Sequence, residues 1–254
     1  GKTIITFGLL IDQNKQPVGY EVYHGRQYEG YTLSDAISRL KNKYQIDKII
    51  CVADTGMMNA DNLIEIEDAG YEYIFGERLK NIAQSKQDEI LDLTKYEVLE
   101  IEDESGESIK IQYYLTEYKG RKLITTYSLN RAIKDRAERE EKIEKAKIFL
   151  SQPAPLEKKA KNHYLKKLNQ CKYVLDADRI KRSEQFDGFM SVATNNKELT
   201  TAQILDAYKQ LYKIEHSFRS FKTFLETRPM FHWTKARILG HLLLCYICFT
   251  VLNY

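Results

Sequence analysis

The stretch IDKIICVADTGMMNADNLIEIEDAGYEYIF, Ile46 to Phe75, decides the fold. Ile46 to Ala53 reads as an apolar strand, and Asp54-Thr55-Gly56 breaks it. Asn59 to Ala69 reads as a helix with Gly70 as its stop, and Tyr71 to Phe75 reads as a second strand. A strand, a helix and a strand in this order predict two parallel strands joined by a crossover. Upstream, Thr3 to Ile11 and Val18 to Tyr23 are β-rich runs separated by the turn-rich Asp12-Gln13-Asn14-Lys15-Gln16-Pro17, which predicts an antiparallel hairpin. Thr32-Leu33-Ser34-Asp35 then caps an amphipathic run to Tyr44, with Leu33, Ile37 and Leu40 at helical spacing. The order β-β-α-β-α-β is that of an α/β chain with a mixed sheet.

Beyond Arg78 the character changes. Tyr96 to Glu102, Ile109 to Leu115 and Lys122 to Tyr127 read as a charged β meander, and Asn130 to Leu150 as a charged helix that Pro153 and Pro155 end. A lysine-rich run, Lys158 to Lys167, follows. Asp187 to Thr194 is a returning strand, and helices are expected over Thr201 to Glu226 and Thr234 to Leu252. The reading is therefore one core, residues 1–78 and 186–254, interrupted by an insertion over 79–185.

With 43% apolar and 30% charged residues, 12 Gly and 4 Pro, disordered, collagenous and disulfide-rich classes are excluded. A net charge of +3, from 39 Lys+Arg against 36 Asp+Glu, permits a polyanionic partner without requiring one. Cys51, Cys171, Cys245 and Cys248 sit mostly in apolar runs with no secretory leader ahead of them, which favours a reducing cytoplasm. The longest apolar stretch, Ile238 to Leu252, falls short of the roughly 18 to 20 residues of a bilayer crossing and reads as a buried core helix, so no membrane association is expected.

Two features can carry chemistry. Asp54 stands at the carboxyl end of an apolar strand, where open α/β sheets place their sites; a turn-capping Asp is the plain alternative. In the helix near the chain's end, Leu211, Ile214, Phe218, Phe221 and Leu225 form the apolar stripe. Beside it Tyr208, Tyr212, Glu215, Arg219 and Lys222 line one edge, and an ordinary exposed face with a Glu215 to Arg219 pair is the alternative there. Together, a strand-end Asp and a helical Glu with Arg and Lys one and two turns beyond suit a divalent metal and a phosphodiester.

The helix reads Tyr208-x2-Leu211-x3-Glu215-x6-Lys222. It resembles the Tyr-x2-Arg-x3-Glu-x6-Lys signature of the bacterial insertion-sequence DDE transposases of the IS-four-like group. Leu211 replaces the signature Arg, and Arg219, within Ile214 to Lys222, is the expected basic substitute. Val52-Ala53-Asp54-Thr55-Gly56-Met57 is similar to the family's second-Asp strand, Leu9 to Asp12 with Pro17 to Tyr20 to its preceding hairpin, and Asp187-Gly188-Phe189 to the strand after its insertion.

The resemblance implies a ribonuclease-H-like core interrupted by a β-rich insertion. In that family carboxylates hold two Mg²⁺ ions, for which Mn²⁺ can substitute, for in-line attack on DNA phosphodiesters. Carried over, Asp54 and Glu215 would be catalytic metal ligands, and Tyr208, Tyr212, Arg219 and Lys222 would bind the transposon end. DNA ends and target DNA, a homodimer and a bacterial cytoplasmic, nucleoid-associated setting are likewise implied. The family's first catalytic Asp lies on a central strand before the Thr3 to Ile11 hairpin, so the expectation is a core whose first strand is missing: a carboxyl-terminal part, inactive alone, or else a non-catalytic DNA-binding or dimerising remnant. Asp12, in the hairpin loop, reads as a turn residue and not as that acid.

Weaker signals remain. His241, Cys245 and Cys248 share a helix face, yet no fourth ligand accompanies them and core cysteines are the better reading. The Lys158 to Lys167 run and Lys172 can contact DNA backbone; a solvated helical face is the alternative.

Overall fold

The computed structural model describes residues 5–11, 17–24, 37–39, 42, 50–53, 60–102, 108–151, 164–169, 172–211 and 234–252. Its strands are β1 (Ile5–Ile11), β2 (Pro17–His24), β3 (Ile50–Ala53), β4 (Glu72–Glu77), β5 (Glu97–Glu102), β6 (Ser108–Tyr118), β7 (Arg121–Tyr127), β8 (Leu165–Asn169), β9 (Lys172–Leu175) and β10 (Phe189–Thr194). A six-stranded sheet has the order β3-β4-β10-β7-β6-β5, and β1-β2 and β8-β9 form two-stranded sheets. The architecture is mixed α/β and compatible with a ribonuclease-H-like fold. The chain divides into two compact units, one of residues 1–76 with 194–254 and one of 77–193.

In the first unit β1 and β2 pair antiparallel, with Phe7 opposite Val22 and Leu9 opposite Tyr20. β3 and β4 are parallel, with Cys51 opposite Tyr73 and Ala53 opposite Phe75, as the crossover order required. The intervening helix, Ala60–Asp68, buries Leu63 and Ile66, three residues apart on one face. It stops at Gly70 because that residue adopts φ +73°, open to glycine at little cost. Tyr71 N–H then donates to Ile66 O and Gly70 N–H to Glu67 O, both at 3.0 Å, so the last carbonyls of the helix are satisfied. Upstream, residues 37–39 are helical with Ile37 buried, within the run expected to be a helix.

The last helix, Lys235–Leu252, rests against β2, with the Tyr246 and Tyr20 rings 4.8 Å apart. It departs from the expectation of a core helix. Ile238, Leu242, Cys245 and Phe249 are buried, whereas Leu243, Leu244, Ile247 and Val251 are exposed. Its near-uniform apolarity hides a one-sided burial, which composition cannot reveal. Among the described residues no helix is long and apolar enough to cross a membrane.

In the second unit β5, β6 and β7 form the expected antiparallel meander, with Leu99 opposite Ile111 and Leu115 opposite Ile124. β7 and β10 carry the unit's core: Leu123, Ile124, Thr125 and Val192 are fully buried, and the Thr125 and Ser191 hydroxyls bond to each other. Glu89, on the Gln84–Leu91 helix, accepts from Lys86, from the Tyr114 hydroxyl at 2.6 Å and from Thr116 at 3.0 Å, which pulls its carboxyl down to about 2. The charged helix runs over Leu129–Ser151, and the segment around Pro153 and Pro155 lies outside the described residues.

Asp187 and Gly188 precede β10 in place of belonging to the strand. Gly188 takes φ +86°, its N–H donates to Asp135 Oδ2 at 3.0 Å, and its carbonyl accepts from Ser128 N–H at 3.0 Å. A Cβ there would sit 2.9 Å from the Ser128 carbonyl oxygen and 2.8 Å from Tyr127 Cε2. Left-handed strain and overpacking each cost on the order of 1 to 3 kcal/mol, so Gly188→Ala is expected to destabilise the chain by about 3 kcal/mol. Urea unfolding measures it, and a loss under about 1 kcal/mol would contradict the close approach.

Candidate active site

Asp54, Tyr212, Glu215, Arg219 and Lys222 lie outside the described residues; Tyr208 is within them. What is described is the framework that leads into each. β3 ends at Ala53, one residue before Asp54, and runs parallel to β4. Cys51 within β3 is buried, and desolvation pushes its thiol up to about 12, which leaves it inert as a nucleophile at neutral pH.

On the other strand of this pair, Tyr73 N–H donates to Asn195 Oδ1 at 2.9 Å, Asn195 Nδ2 donates to Tyr71 O at 3.1 Å, and the Thr194 hydroxyl donates to Tyr73 O. These bonds hold Thr194 and Asn195 against Tyr71 and Tyr73 at the start of β4. The Asn195 amide carries the ladder one step past the last residue of β10. Asn196, fully buried, then accepts from Glu198 N–H at 2.9 Å and Leu199 N–H at 2.6 Å, which folds the chain into its next helix. The sequence reading missed both residues; the signal was the Asn-Asn pair at a strand end, ahead of a helix.

That helix covers residues 201–211. Thr200 and Gln203 form a reciprocal cap: Gln203 N–H donates to Thr200 Oγ1 at 3.3 Å, and Thr200 N–H donates to Gln203 Oε1 at 2.9 Å. Ile204 and Leu205 are buried, Asp206 is exposed, and Tyr208 is half-buried. The helix therefore starts where the sequence placed it, and Tyr208 stands beside its apolar stripe.

The possible zinc ligands do not converge. Cys245 is buried with its sulfur 3.7 Å from His241 Nε2, and Cys248 is exposed. Burial, then the neighbouring Cys248, raises the Cys245 thiol. Among the described residues no group of three His, Cys, Asp or Glu side chains is placed to hold a metal. The lysine run also departs from the helical alternative: Lys166 and Lys167 belong to strand β8, because Leu165, Tyr173 and Leu175 give that ribbon a buried or half-buried side at its base.

A parallel β3-β4 pair with a crossover helix and a capped helix after β10 define a mixed-sheet α/β protein. The profile of the family described as Transposase DDE domain matches residues 8–251, and the chain belongs to that family. Membership implies transposition-related cleavage and transfer of DNA. No curated protein matches the chain.

Proposed function

We propose that this chain cleaves and joins DNA in the transposition of an insertion sequence of the IS-four-like group, with Asp54 and Glu215 holding Mg²⁺, or Mn²⁺ in its place. The observation that carries this reading is the position of Asp54 in the chain, immediately after the carboxyl end of a strand in a parallel pair. Open α/β sheets bind their ligands outside those ends. The capped helix that begins after Thr200 carries Tyr208 and leads in sequence toward Glu215.

Carboxylates are hard oxygen donors and suit Mg²⁺ over softer metals. Bound there, Mg²⁺ supplies a Lewis acid for the phosphoryl oxygen and acidifies a water. Asp54 and Glu215 hold the site's negative charge, Arg219 and Lys222 neutralise the phosphodiester, and the phenols of Tyr208 and Tyr212 donate to its oxygens. The insertion is residues 79–185 and the core is residues 1–78 with 186–254, a division close to that of the compact units. The protein works on paired DNA ends as a homodimer in the bacterial cytoplasm, close to the nucleoid.

Titration of Mn²⁺ or Mg²⁺ into the purified chain by calorimetry tests the metal assignment. Binding by the wild-type chain that disappears in both Asp54→Ala and Glu215→Ala is expected. Binding that survives in either variant removes that residue from the site, and a wild-type chain that takes up no metal leaves the reading of a DNA-binding remnant.

A further inference from the structure

The Lys235–Leu252 helix is apolar on two opposite sides, and only one of them is buried. At about 100° per residue, Ile238, Leu242, Cys245 and Phe249 share the buried side. Gly240, Leu244, Ile247 and Val251 fall on the side facing away. Leu244 is 64% exposed, Ile247 48% and Val251 69%. From Ile238 to Leu252 there is no Asp, Glu, Lys or Arg. A contiguous run of exposed large apolar side chains marks an interaction surface, whereas scattered single ones do not.

The chemistry of this face narrows what covers it. With no cation along the stripe it does not hold phosphates, so DNA is a poor occupant. A helix that lies on a bilayer needs a strongly charged face opposite its apolar one, and here the opposite face is buried in the protein.

The spacing fits a second copy of the same chain. Positions 240, 244, 247 and 251 step by four, three and four, the alternation of a coiled-coil seam. The pattern reads the same in both directions about the midpoint between Cys245 and Tyr246. In a two-fold contact residue i meets j and j meets i. An antiparallel pair about that midpoint therefore sets Leu244 against the partner's Ile247 and Gly240 against the partner's Val251, each pair occurring twice. Sizes match as well as positions. A Cβ on Gly240 would meet nothing within 4 Å, which leaves an open notch, and Val251 is the most exposed side chain of the stripe.

Charge at the helix start favours the same direction. Lys235 and Arg237 stand exposed in the first turn, at the positive end of the helix dipole. Two parallel copies would bring these cations together. Antiparallel copies lay them alongside the carboxyl end of the partner's helix, where cations are favoured.

We infer that two copies of this chain pair through the exposed side of the Lys235–Leu252 helix, antiparallel about a two-fold axis between Cys245 and Tyr246. This rests on the homodimer of the reading above and gives it a surface. The stripe from 240 to 251 is about 17 Å long at 1.5 Å per residue. That is short beside standard interfaces of roughly 1,200 to 2,000 Å², so the pair forms at micromolar and not nanomolar concentration.

Sedimentation equilibrium of the full chain without DNA, at up to about 100 µM, tests the surface. The wild-type chain should dimerise. Leu244→Lys and Ile247→Glu each place an unpaired charge in the seam twice per dimer and should weaken it by about a hundredfold or more. Both side chains are exposed in the single chain, so the thermal midpoint of either monomer should match that of the wild-type monomer. An equimolar mixture of the two variants should recover a heterodimer within about tenfold of wild-type affinity. In that mixed pair the new ammonium of one copy faces the new carboxylate of the other, and Leu244 meets the partner's Ile247 at the second contact.

Wild-type affinity in either single variant overturns this surface and leaves the homodimer standing. A mixture that stays monomeric overturns the antiparallel register. A wild-type chain that stays monomeric overturns the inference altogether, and sedimentation of that monomer with phosphatidylserine vesicles would assign the face to lipid. The metal titration judges the catalytic reading separately from all three.

Discussion

In a protein that carries this chain together with the family's first Asp, Glu215→Gln lowers Mg²⁺-dependent DNA strand cleavage by about a thousandfold or more while leaving duplex binding within about twofold of the parent. In the proposed site Glu215 supplies anionic oxygen to the metal, and the amide of Gln keeps the volume but removes the charge. Metal polarisation of a phosphoryl oxygen contributes several kcal/mol in the transition state, and about 4 kcal/mol corresponds to a thousandfold. Binding is spared because affinity for DNA comes mainly from cations on phosphates, and removing a carboxylate takes none of these away. Asp54→Asn should behave the same way. Lys222→Ala should do the reverse, weakening binding with a slope lower by about 0.9. A nicking assay on a supercoiled plasmid separates these outcomes. Nicking by Glu215→Gln at the wild-type rate would remove Glu215 from the site.

Arg139→Ala is expected to destabilise the unit of residues 77–193 by about 3 to 5 kcal/mol. Arg139 is 7% exposed despite its charge, and one guanidinium nitrogen donates to both oxygens of Asp187. That bidentate bond, above all, raises the guanidinium's affinity for its proton. Taking away the arginine strands Asp187, itself only 18% exposed, with a charge that has lost its partner. Lys80 already feels the Asp187 charge while its Nζ donates to Ser183, so it offsets only part of the loss. The double change Arg139→Met with Asp187→Leu removes both charges and should recover more than half of the loss, since paired apolar residues avoid the desolvation cost altogether. Urea unfolding of the three chains measures both effects. A single variant within about 1 kcal/mol of wild type would show that the pair is solvated in solution.

The same pair shows where sequence reading stops. Arg139 and Asp187 are 48 residues apart, and nothing in a local window distinguishes Arg139 from Arg136, which faces solvent with Glu140. The strand that ends at Ala53 and the helix that starts at Thr201 were legible because each depends on a strand end or a helix period only a few residues long. Asn195 was not legible as a ladder residue, because its partners, Tyr71 and Tyr73, come from a strand more than 120 positions earlier. Lys166 and Lys167 fell into a lysine run that suits a helix or a strand equally. Their strand assignment came from Leu165 and Tyr173, which bury one end of the ribbon against residues elsewhere in the unit.

The sequence by itself determined the local elements: the hairpin of β1 and β2, the parallel β3-β4 crossover with its Gly70 stop, the β5 to β7 meander, the start of the helix at Thr201 and the membership that its motifs announced. Each depends on periodicity, turn chemistry or capping, forces that act over about one to three turns of chain. Tertiary structure alone decided the order β3-β4-β10-β7-β6-β5, the one-sided burial of the last helix, the Arg139 to Asp187 pair and the strand placement of Lys166 and Lys167. These depend on which distant surfaces exclude water from one another, and burial of that kind is a property of the folded pair and not of either segment.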